Sequence, residues 1–478
     1  MAGSAPLWDA FASRTADLGE RPAVEAPGVE LGFAELWREA ERLATVFLEA
    51  GVREGGVTGL ALGNSELFPP VFLALCRLDA TIALLPPQYG RSELTAIADG
   101  VSLSGIVSDT ETGPRIASAI HISSASSDKS VQVLRPASAN GAGAVMDDEP
   151  LLKFSSGSTA KPKGIALTAA NVLAETENVA ATLELGPGDR ILSGVPLFHS
   201  YGLDLGLLPT LYSGTTLVLE DSFVPRRTMR RLADEVSVFL GVPAQYRAFL
   251  AAQIESPPDL SSVRWLLSCT APLAPDTVAE FGERFGVPIC QHYGSSETGA
   301  VTNHVPAEVA ARPASVGRPV SGVRVEVDAE GEVVVESEAV ARRYVLGAPP
   351  GESLLRDGVF RTGDLGRIDS GGFLTIDGRR DAMINVGGLK VSPAEVEATL
   401  ERHSAVREAA VLGFPDGRSE EVVYAVIESS GPVGEDELIV WCRESLAPHK
   451  VPRRIEIRDA LPRTATGKVR LGVDDLHA

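Results

Sequence analysis

Leu36, Ala40, Leu43 and Phe47 recur at helical spacing and Gly51 stands where a helix is capped, so residues 33–50 are expected as an amphipathic helix. The apolar run 57–62 reads as a short buried strand, residues 66–78 as a helix and 81–85 as a second strand. Buried strands alternating with helices point to a parallel sheet covered on both faces. The alternation resumes with a helix at 169–183 and strands at 191–195, 216–219, 236–241 and 263–267, as in a doubly wound sheet that occurs twice. Residues 122–146 are rich in Ser, Ala and Gly without periodicity and read as a surface linker.

The texture changes near residue 323. Short alternating strands at 323–327 and 332–336 precede the stretch Val359 to Leu365, and a strand is expected at 373–376. A turn-rich polar junction, Asp377-Gly378-Arg379-Arg380-Asp381, follows. Beyond it, helices at 393–403 and 435–446 and strands at 408–413, 421–428 and 454–458 make a compact α+β unit. The expected fold class is α/β: a large N-terminal domain of doubly wound sheets plus a β-rich subdomain (1–378), then a small α+β C-terminal domain (379–478).

The 478 residues exceed what one core holds, in keeping with two domains. A formal charge of −21 disfavours nucleic acid or an anionic membrane as partner. An anionic ligand must then be held by local cations. Cys76, Cys269, Cys290 and Cys442 are scattered without metal-ligand spacing, which suits a reducing compartment. The N-terminus lacks the basic-then-apolar pattern of a signal peptide. The most apolar region, 68–87, is interrupted by Arg77, Asp79 and prolines, so no membrane span is expected. A cytoplasmic protein is the expectation.

Four stretches carry chemistry. The first is Phe154-Ser155-Ser156-Gly157-Ser158-Thr159-Ala160-Lys161-Pro162-Lys163-Gly164, after an apolar strand-like entry. Small residues let a backbone turn tightly and present N–H groups to an anion, while hydroxyls and lysines add donors and charge. This is the chemistry of a triphosphate cradle, although the Walker A spacing cannot be fitted. The second is Pro196-Leu197-Phe198-His199-Ser200-Tyr201-Gly202; a lone histidine after an apolar run is ordinarily structural. The third is Gln291-His292-Tyr293-Gly294-Ser295-Ser296-Glu297-Thr298-Gly299, where a carboxylate among small residues suits Mg²⁺. The fourth, Pro462-Arg463-Thr464-Ala465-Thr466-Gly467-Lys468, sets a lysine on a terminal loop.

Taken in order, with Ser268-Cys269-Thr270-Ala271-Pro272, Arg361-Thr362-Gly363-Asp364 and Val386-Gly387-Gly388-Leu389-Lys390 between them, these stretches resemble the adenylate-forming superfamily, closest to acyl- and aryl-CoA synthetases. The resemblance implies that a carboxylate attacks the α-phosphate of Mg-ATP to give an acyl-adenylate and pyrophosphate, after which a thiol displaces AMP. It casts Ser155, Ser156, Gly157, Ser158, Thr159 and Lys163 as the phosphate loop, and Thr159 and Glu297 as the Mg²⁺ side. Ser296 falls beside the α-phosphate and Gly294 beside nucleotide and acid. Tyr293 stacks on adenine, with Thr270, Ala271 and Pro272 across from it. Asp364 takes the ribose hydroxyls, with Arg379 close by. Lys468 bridges carboxylate and α-phosphate, a preorganised charge worth roughly 3–4 kcal/mol. His199, Tyr201, Ser268, Cys269 and His292 line the acid pocket, His199 also gating the thiol. Asp381 is the hinge of a mobile small domain, and Gly387 and Gly388 line a pantetheine tunnel.

The sequence departs from the family pattern at Ala160, where a positive φ would be strained, and at Cys269-Thr270, where Gly-Gly is common. It departs also at His292, Ala382, Asn385 and Arg342-Arg343-Tyr344. Added volume beside the pocket suggests a small or flat acid. ATP, Mg²⁺ and CoA are the implied cofactors, with carrier-protein phosphopantetheine as the alternative thiol. The partners are then a small-molecule carboxylic acid, ATP and CoA, with a carrier protein and a homodimer left open. Activation of another oxyanion such as nitrite, or transfer to an amine, also stays open.

Overall fold

The helical stripe near the N-terminus folds as read: helix Phe33–Glu49 buries Leu36, Ala40, Leu43 and Phe47. Strands Val57–Ala61 and Thr81–Leu84 pair in parallel on either side of helix Phe68–Arg77 in sequence, the βαβ unit that the alternation implies. The computed structural model describes residues 7–89, 91–109, 119–123, 129–134, 148–156, 162–234, 236–252, 254, 256–347, 355–386, 389–415, 421–463, 469, 471–472 and 475–476. By contacts the chain divides into a larger unit, residues 1–325 with 335–360, and a smaller one, residues 326–334 with 361–478.

The larger unit holds two sheets. One has eight strands in the order Arg343–Leu346, Pro162–Leu167, Leu151–Ser156, Thr81–Leu84, Val57–Ala61, Gly105–Asp109, Ser130–Leu134 and Ala119–Ser123. Its centre is parallel and its edges antiparallel. Two of these strands, Ala119–Ser123 and Ser130–Leu134, fall within or across the stretch read as linker, where strand signals too short for a periodicity pair with each other. The other sheet has nine strands, and its middle, Pro22–Ala26, Thr216–Leu219, Arg190–Ser193, Val238–Gly241, Trp265–Ser268 and Ile289–Ser295, is parallel throughout. Phe239, Tyr246, Phe249 and Phe281 are fully buried and knit helices Pro243–Ala251 and Pro275–Phe285 to this sheet by edge-on ring contacts. Tyr246 satisfies its buried hydroxyl on the Leu267 carbonyl at 2.7 Å.

In the smaller unit, strands Val406–Pro415 and Glu421–Ser429 pair antiparallel, and Arg454–Arg458 joins the second in parallel. Helices Pro393–Glu401 and Glu435–Ser445 place Val396, Leu400, Leu438 and Cys442 in the core under this sheet. Among the described residues no helix is long and apolar enough to cross a membrane.

Candidate active site

The cradle motif is the end of a hairpin. Strands Leu151–Ser156 and Pro162–Leu167 run antiparallel, with Ser155 opposite Lys163 and Ser156 opposite Pro162. Ser155 and Ser156 therefore sit at the last strand positions, and Lys163, half-buried, faces them across the ladder. Gly157, Ser158, Thr159 and Ala160, which form the tip of the motif, lie outside the described residues. The outer strand of the hairpin is flanked by Arg343–Leu346, with Tyr344 opposite Ile165.

That flanking strand reaches the carboxylate of the third motif. The Tyr344 hydroxyl donates to Glu297 Oε1 at 2.9 Å, and the Ala341 N–H donates to the Glu297 carbonyl at 2.7 Å. Glu297 sits in the tight turn between strands Ile289–Ser295 and Gly299–Asn303. The turn is held by Ser295 N–H and Oγ on Thr298 Oγ1, at 3.2 and 3.0 Å, and by the Glu297 N–H on Ser295 Oγ at 3.2 Å. Glycine is required at both ends: a Cβ on Gly294 would stand 2.3 Å from the Gly299 carbonyl oxygen, and Gly299 itself has φ +66°. Ser296 shares a 2.9 Å hydrogen bond with Ser200, tying this turn to the second motif. Among the described residues no further hydrogen bond reaches the second Glu297 oxygen. A carboxylate half engaged and half open suits Mg²⁺, which is bound by one or two carboxylates plus phosphates and water. Among the described residues no cluster of three metal-ligating side chains exists.

His199 caps a helical run that starts at Ser200. Its Nδ1 accepts the Tyr201 N–H at 3.4 Å, so in the neutral ring the proton sits on Nε2. The segment before it is pinned by Asn64, which accepts the Leu197 N–H and donates to the Val195 carbonyl, each at 2.8 Å. Tyr201 is buried, and its ring lies nearly parallel to that of His292, centroids 5.9 Å apart. Burial pushes the Tyr201 phenol well above its usual range. Burial likewise lowers His292 to about 4, outweighing the hydrogen bond to Asn303 Oδ1, so the ring is neutral at pH 7. Ser268 and Cys269, at the end of strand Trp265–Ser268, are buried too. Ser268 and Cys269 stand at the carboxyl end of strand Trp265–Ser268, His292 follows the last parallel pair of strand Ile289–Ser295, and His199 and Tyr201 lie on the connection that leaves strand Arg190–Ser193, on the side where α/β sheets collect ligands.

Thr270 follows with φ +78°, a left-handed conformation that a β-branched residue takes only under strain. It presents Ala271 and Pro272 exposed, and Tyr293 is half-buried on its strand.

In the smaller unit, Asp364 and Arg379 are partners across strands Val359–Ile368 and Leu374–Arg379. Arg379 Nη1 lies 3.4 Å from Asp364 Oδ1, and Arg379 Nε lies 2.9 Å from Asp381 Oδ1. The guanidinium therefore links the candidate ribose carboxylate to the candidate hinge residue. Arg361 is bound by Asp328 and Glu332, and its guanidinium, with N–H groups from Glu332 and Glu330, lowers the Asp328 carboxyl to about 2. Glu332 in turn accepts the Gly363 N–H at 3.1 Å, so the Arg361 motif supports the backbone beside Asp364. Gly387, Gly388 and Lys468 lie outside the described residues. Strands Ile384–Val386 and Leu389–Val391 pair on either side of the glycines. Arg463 and Val469 bridge on either side of the lysine, and Arg463 is held by Glu408 and Glu428.

Sequence reasoning marked Tyr344 only as a departure from the family pattern and missed its contact with Glu297; it also missed Asn64 and a buried trio of Lys153, Asp204 and Glu175. Only Lys153, a charge in an apolar strand two residues before the cradle, left a sequence signal.

The family model for AMP-binding enzymes matches residues 11–345, and that for the AMP-binding enzyme C-terminal domain matches residues 395–468. The chain is similar to a feruloyl-CoA synthase of Amycolatopsis sp (34% identical, 94% of each chain). It is similar also to an oxalate–CoA ligase of Arabidopsis thaliana (32% identical, 92% of this chain and 91% of that one). Among solved structures, o-succinylbenzoate CoA synthetase from Bacillus subtilis with its acyl-adenylate superposes with a TM-score of 0.83 at 26% identity over 97% of each chain. An anthranilate CoA ligase with anthranoyl-AMP superposes with a TM-score of 0.82 at 26% identity over 98% of this chain and 96% of that one. With both family models matched in order across the motifs described above, this chain belongs to the family of AMP-binding enzymes.

Proposed function

We propose that this chain is an AMP-forming ligase that activates a small aromatic or short-to-medium acyl acid with ATP and passes the acyl group to the thiol of CoA. The observation that carries the reading is the Glu297 carboxylate, braced by Tyr344 beside the hairpin whose end is the cradle motif. The similarity to CoA ligases over most of the chain supports it.

The physical problem of the first step is to bring a carboxylate onto a polyphosphate. Ser155 to Thr159 and Lys163 would guide the β- and γ-phosphates, and Ser296 would stand by the α-phosphate. Thr159 and Glu297 would hold Mg²⁺, which when bound neutralises phosphate charge. Tyr293, Thr270, Ala271 and Pro272 would sandwich adenine, with Gly294 leaving room beside it. Asp364 would accept the ribose hydroxyls and Lys468 would hold acid and phosphate together. A swing of the smaller domain, residues 379–478, at Asp381 would then exchange Lys468 for Gly387 and Gly388, along which pantetheine reaches the adenylate. Of the proposed acid-pocket wall of His199, Tyr201, Ser268, Cys269 and His292, burial keeps the Tyr201 phenol protonated and the His292 ring neutral at pH 7, which favours an acid with an uncharged far end.

A carrier-borne pantetheine offers the same thiol. A net charge of −21 repels an acidic carrier, so a carrier would need a basic docking patch; Arg453, Arg454 and Arg463 are the candidates, equally able to receive the 3′-phosphate of CoA, and of these Arg463 is engaged by Glu408 and Glu428. The scheme needs one chain, so a homodimer would add nothing to the chemistry. The described cysteines are all free and buried, consistent with the cytoplasm.

The test is pyrophosphate release over benzoates, cinnamates, short fatty acids, amino acids and nitrite, with and without CoA. Release that turns over with one acid only when CoA is present supports the reading. Release that stops after one turnover with CoA present refutes CoA as acceptor.

A further inference from the structure

Lys153, Asp204 and Glu175 meet in the interior of the larger unit, on three elements that each lead to a part of the candidate site. The Lys153 and Asp204 side chains are each 3% exposed, and their Nζ and Oδ2 lie 2.6 Å apart. Lys153 belongs to the inner strand of the cradle hairpin. Asp204 lies on the helical run that begins after His199. Glu175, on helix Ala169–Thr182, is fully buried and feels both of the other charges. Its Oε1 accepts the Ala300 N–H at 2.7 Å, and its carboxyl occupies the space a Cβ on Gly299 would need, 2.2 Å away. It thereby packs under the turn that carries Glu297.

Stability does not explain the trio. A buried ion pair recovers its desolvation cost only with good geometry and satisfied lone pairs, and apolar residues of like volume often serve as well. Here Glu175 Oε2 and Asp204 Oδ1 are buried without a hydrogen-bond acceptor role among the described residues. Two carboxyls and one ammonium balance when one carboxyl keeps its proton. Burial raises both carboxyls, but the Lys153 ammonium sits on Asp204 and holds it ionised, so Glu175, raised further by the Asp204 charge, is the carboxyl that keeps the proton. Charged and hydrogen-bonded contacts fix distance and direction, which apolar contacts do not. The helical run supports the same view: residues Leu203–Leu207 wind as a π-turn around Asp204, a feature common at functional sites and rare elsewhere.

We infer that Lys153, Asp204 and Glu175 are positioning residues for adenylate formation, locking the root of the cradle hairpin, the helix after His199 and the Glu297 turn into one register. The inference rests on the ligase reading above. Its test separates the two half-reactions in the full-length protein. Adenylation is read as acid-dependent exchange of labelled pyrophosphate into ATP. Thioester formation is read from chemically prepared acyl-adenylate and CoA, which bypasses the first step. The double variant Lys153→Met/Asp204→Leu removes both charges and keeps volume; Glu175→Gln keeps the hydrogen-bonding shape. We expect the double variant to lose about 10–100-fold in the kcat of exchange, the scale set by misplacing reacting groups by about 1 Å. We expect its KM for the acid and its rate from the preformed adenylate to stay within about threefold, and Glu175→Gln to stay within about threefold in both assays, small against that 10–100-fold scale. Equal losses in both half-reactions, or no loss in either, overturns the inference. A wild-type protein that exchanges pyrophosphate with no acid overturns the ligase reading itself, and that is seen before any variant is made.

Discussion

Glu175→Gln should change how stability depends on pH. In the folded chain the Glu175 carboxyl titrates near 8, raised first by burial and then by Asp204; its ordinary value is 4.5. Between those values the folded state keeps a proton that the unfolded chain releases. The stability tied to that proton is fully present below pH 4.5 and is lost as pH rises through 8. At about 1.4 kcal/mol per pH unit, the loss from pH 6 to pH 8 comes to roughly 2 kcal/mol. Glutamine cannot ionise, and its carbonyl still accepts from the Ala300 N–H as the carboxyl does. The variant should therefore gain about 2 kcal/mol relative to wild type on going from pH 6 to pH 8. Urea unfolding of both proteins at the two pH values, followed by tryptophan fluorescence, measures this difference. A wild-type-to-variant difference that is the same at both pH values would refute the reasoning, because it would mean that Glu175 is already ionised at pH 6.

Tyr344→Phe removes the donor on Glu297. If Glu297 serves Mg²⁺, the Mg²⁺ concentration for half-maximal pyrophosphate exchange should rise about tenfold, the low end for loss of such a supporting hydrogen bond; an unchanged Mg²⁺ titration counts against it. Thr270→Gly relieves a left-handed residue, worth about 1–2 kcal/mol, against about 0.5–1 kcal/mol of added chain freedom. A small rise in melting temperature is expected, and a fall would show that the Thr270 side chain repays its strain. Arg463→Met frees the stem of the Lys468 loop from Glu408 and Glu428. We expect adenylation to slow by about tenfold while thioester formation from a supplied adenylate holds, the pattern of a misplaced lysine; equal effects on both steps would argue for a general loss of fold.

Much of the fold is legible because it rests on local pattern. Helix 33–49 and the parallel strands Val57–Ala61, Thr81–Leu84, Arg190–Ser193, Thr216–Leu219, Val238–Gly241 and Trp265–Ser268 follow from apolar spacing, and Arg454–Arg458 falls where it was read, whereas the parallel strands Pro22–Ala26, Gly105–Asp109 and Ile289–Ser295 were not read as strands. The hairpin of Ala119–Ser123 and Ser130–Leu134 was hidden because its strands are short and stand in a Ser-rich stretch. The site is legible where a motif is continuous, as from Gly294 to Gly299, whose glycines answer to backbone geometry. It is illegible where function rests on partners distant in sequence. Tyr344 meets Glu297 only because strand Arg343–Leu346 closes the sheet, and Lys153 meets Asp204 only because a helix passes beneath the cradle strand. Pattern reports which face a residue takes, and it does not report what stands across from it.

The closing strand has a consequence for how the protein is made. Strand Pro162–Leu167 is synthesised long before Arg343–Leu346, its outer neighbour. At translation rates of about 5–20 residues per second, the growing chain spends roughly 10–35 s with that edge unpaired. Open strand edges recruit other strands, so in this interval the nascent chain is exposed to misassembly and can call on a chaperone. Glu297 too lacks its brace until Tyr344 has left the ribosome, so a truncated chain ending before it would carry the cradle sequence without the carboxylate support that the finished fold provides.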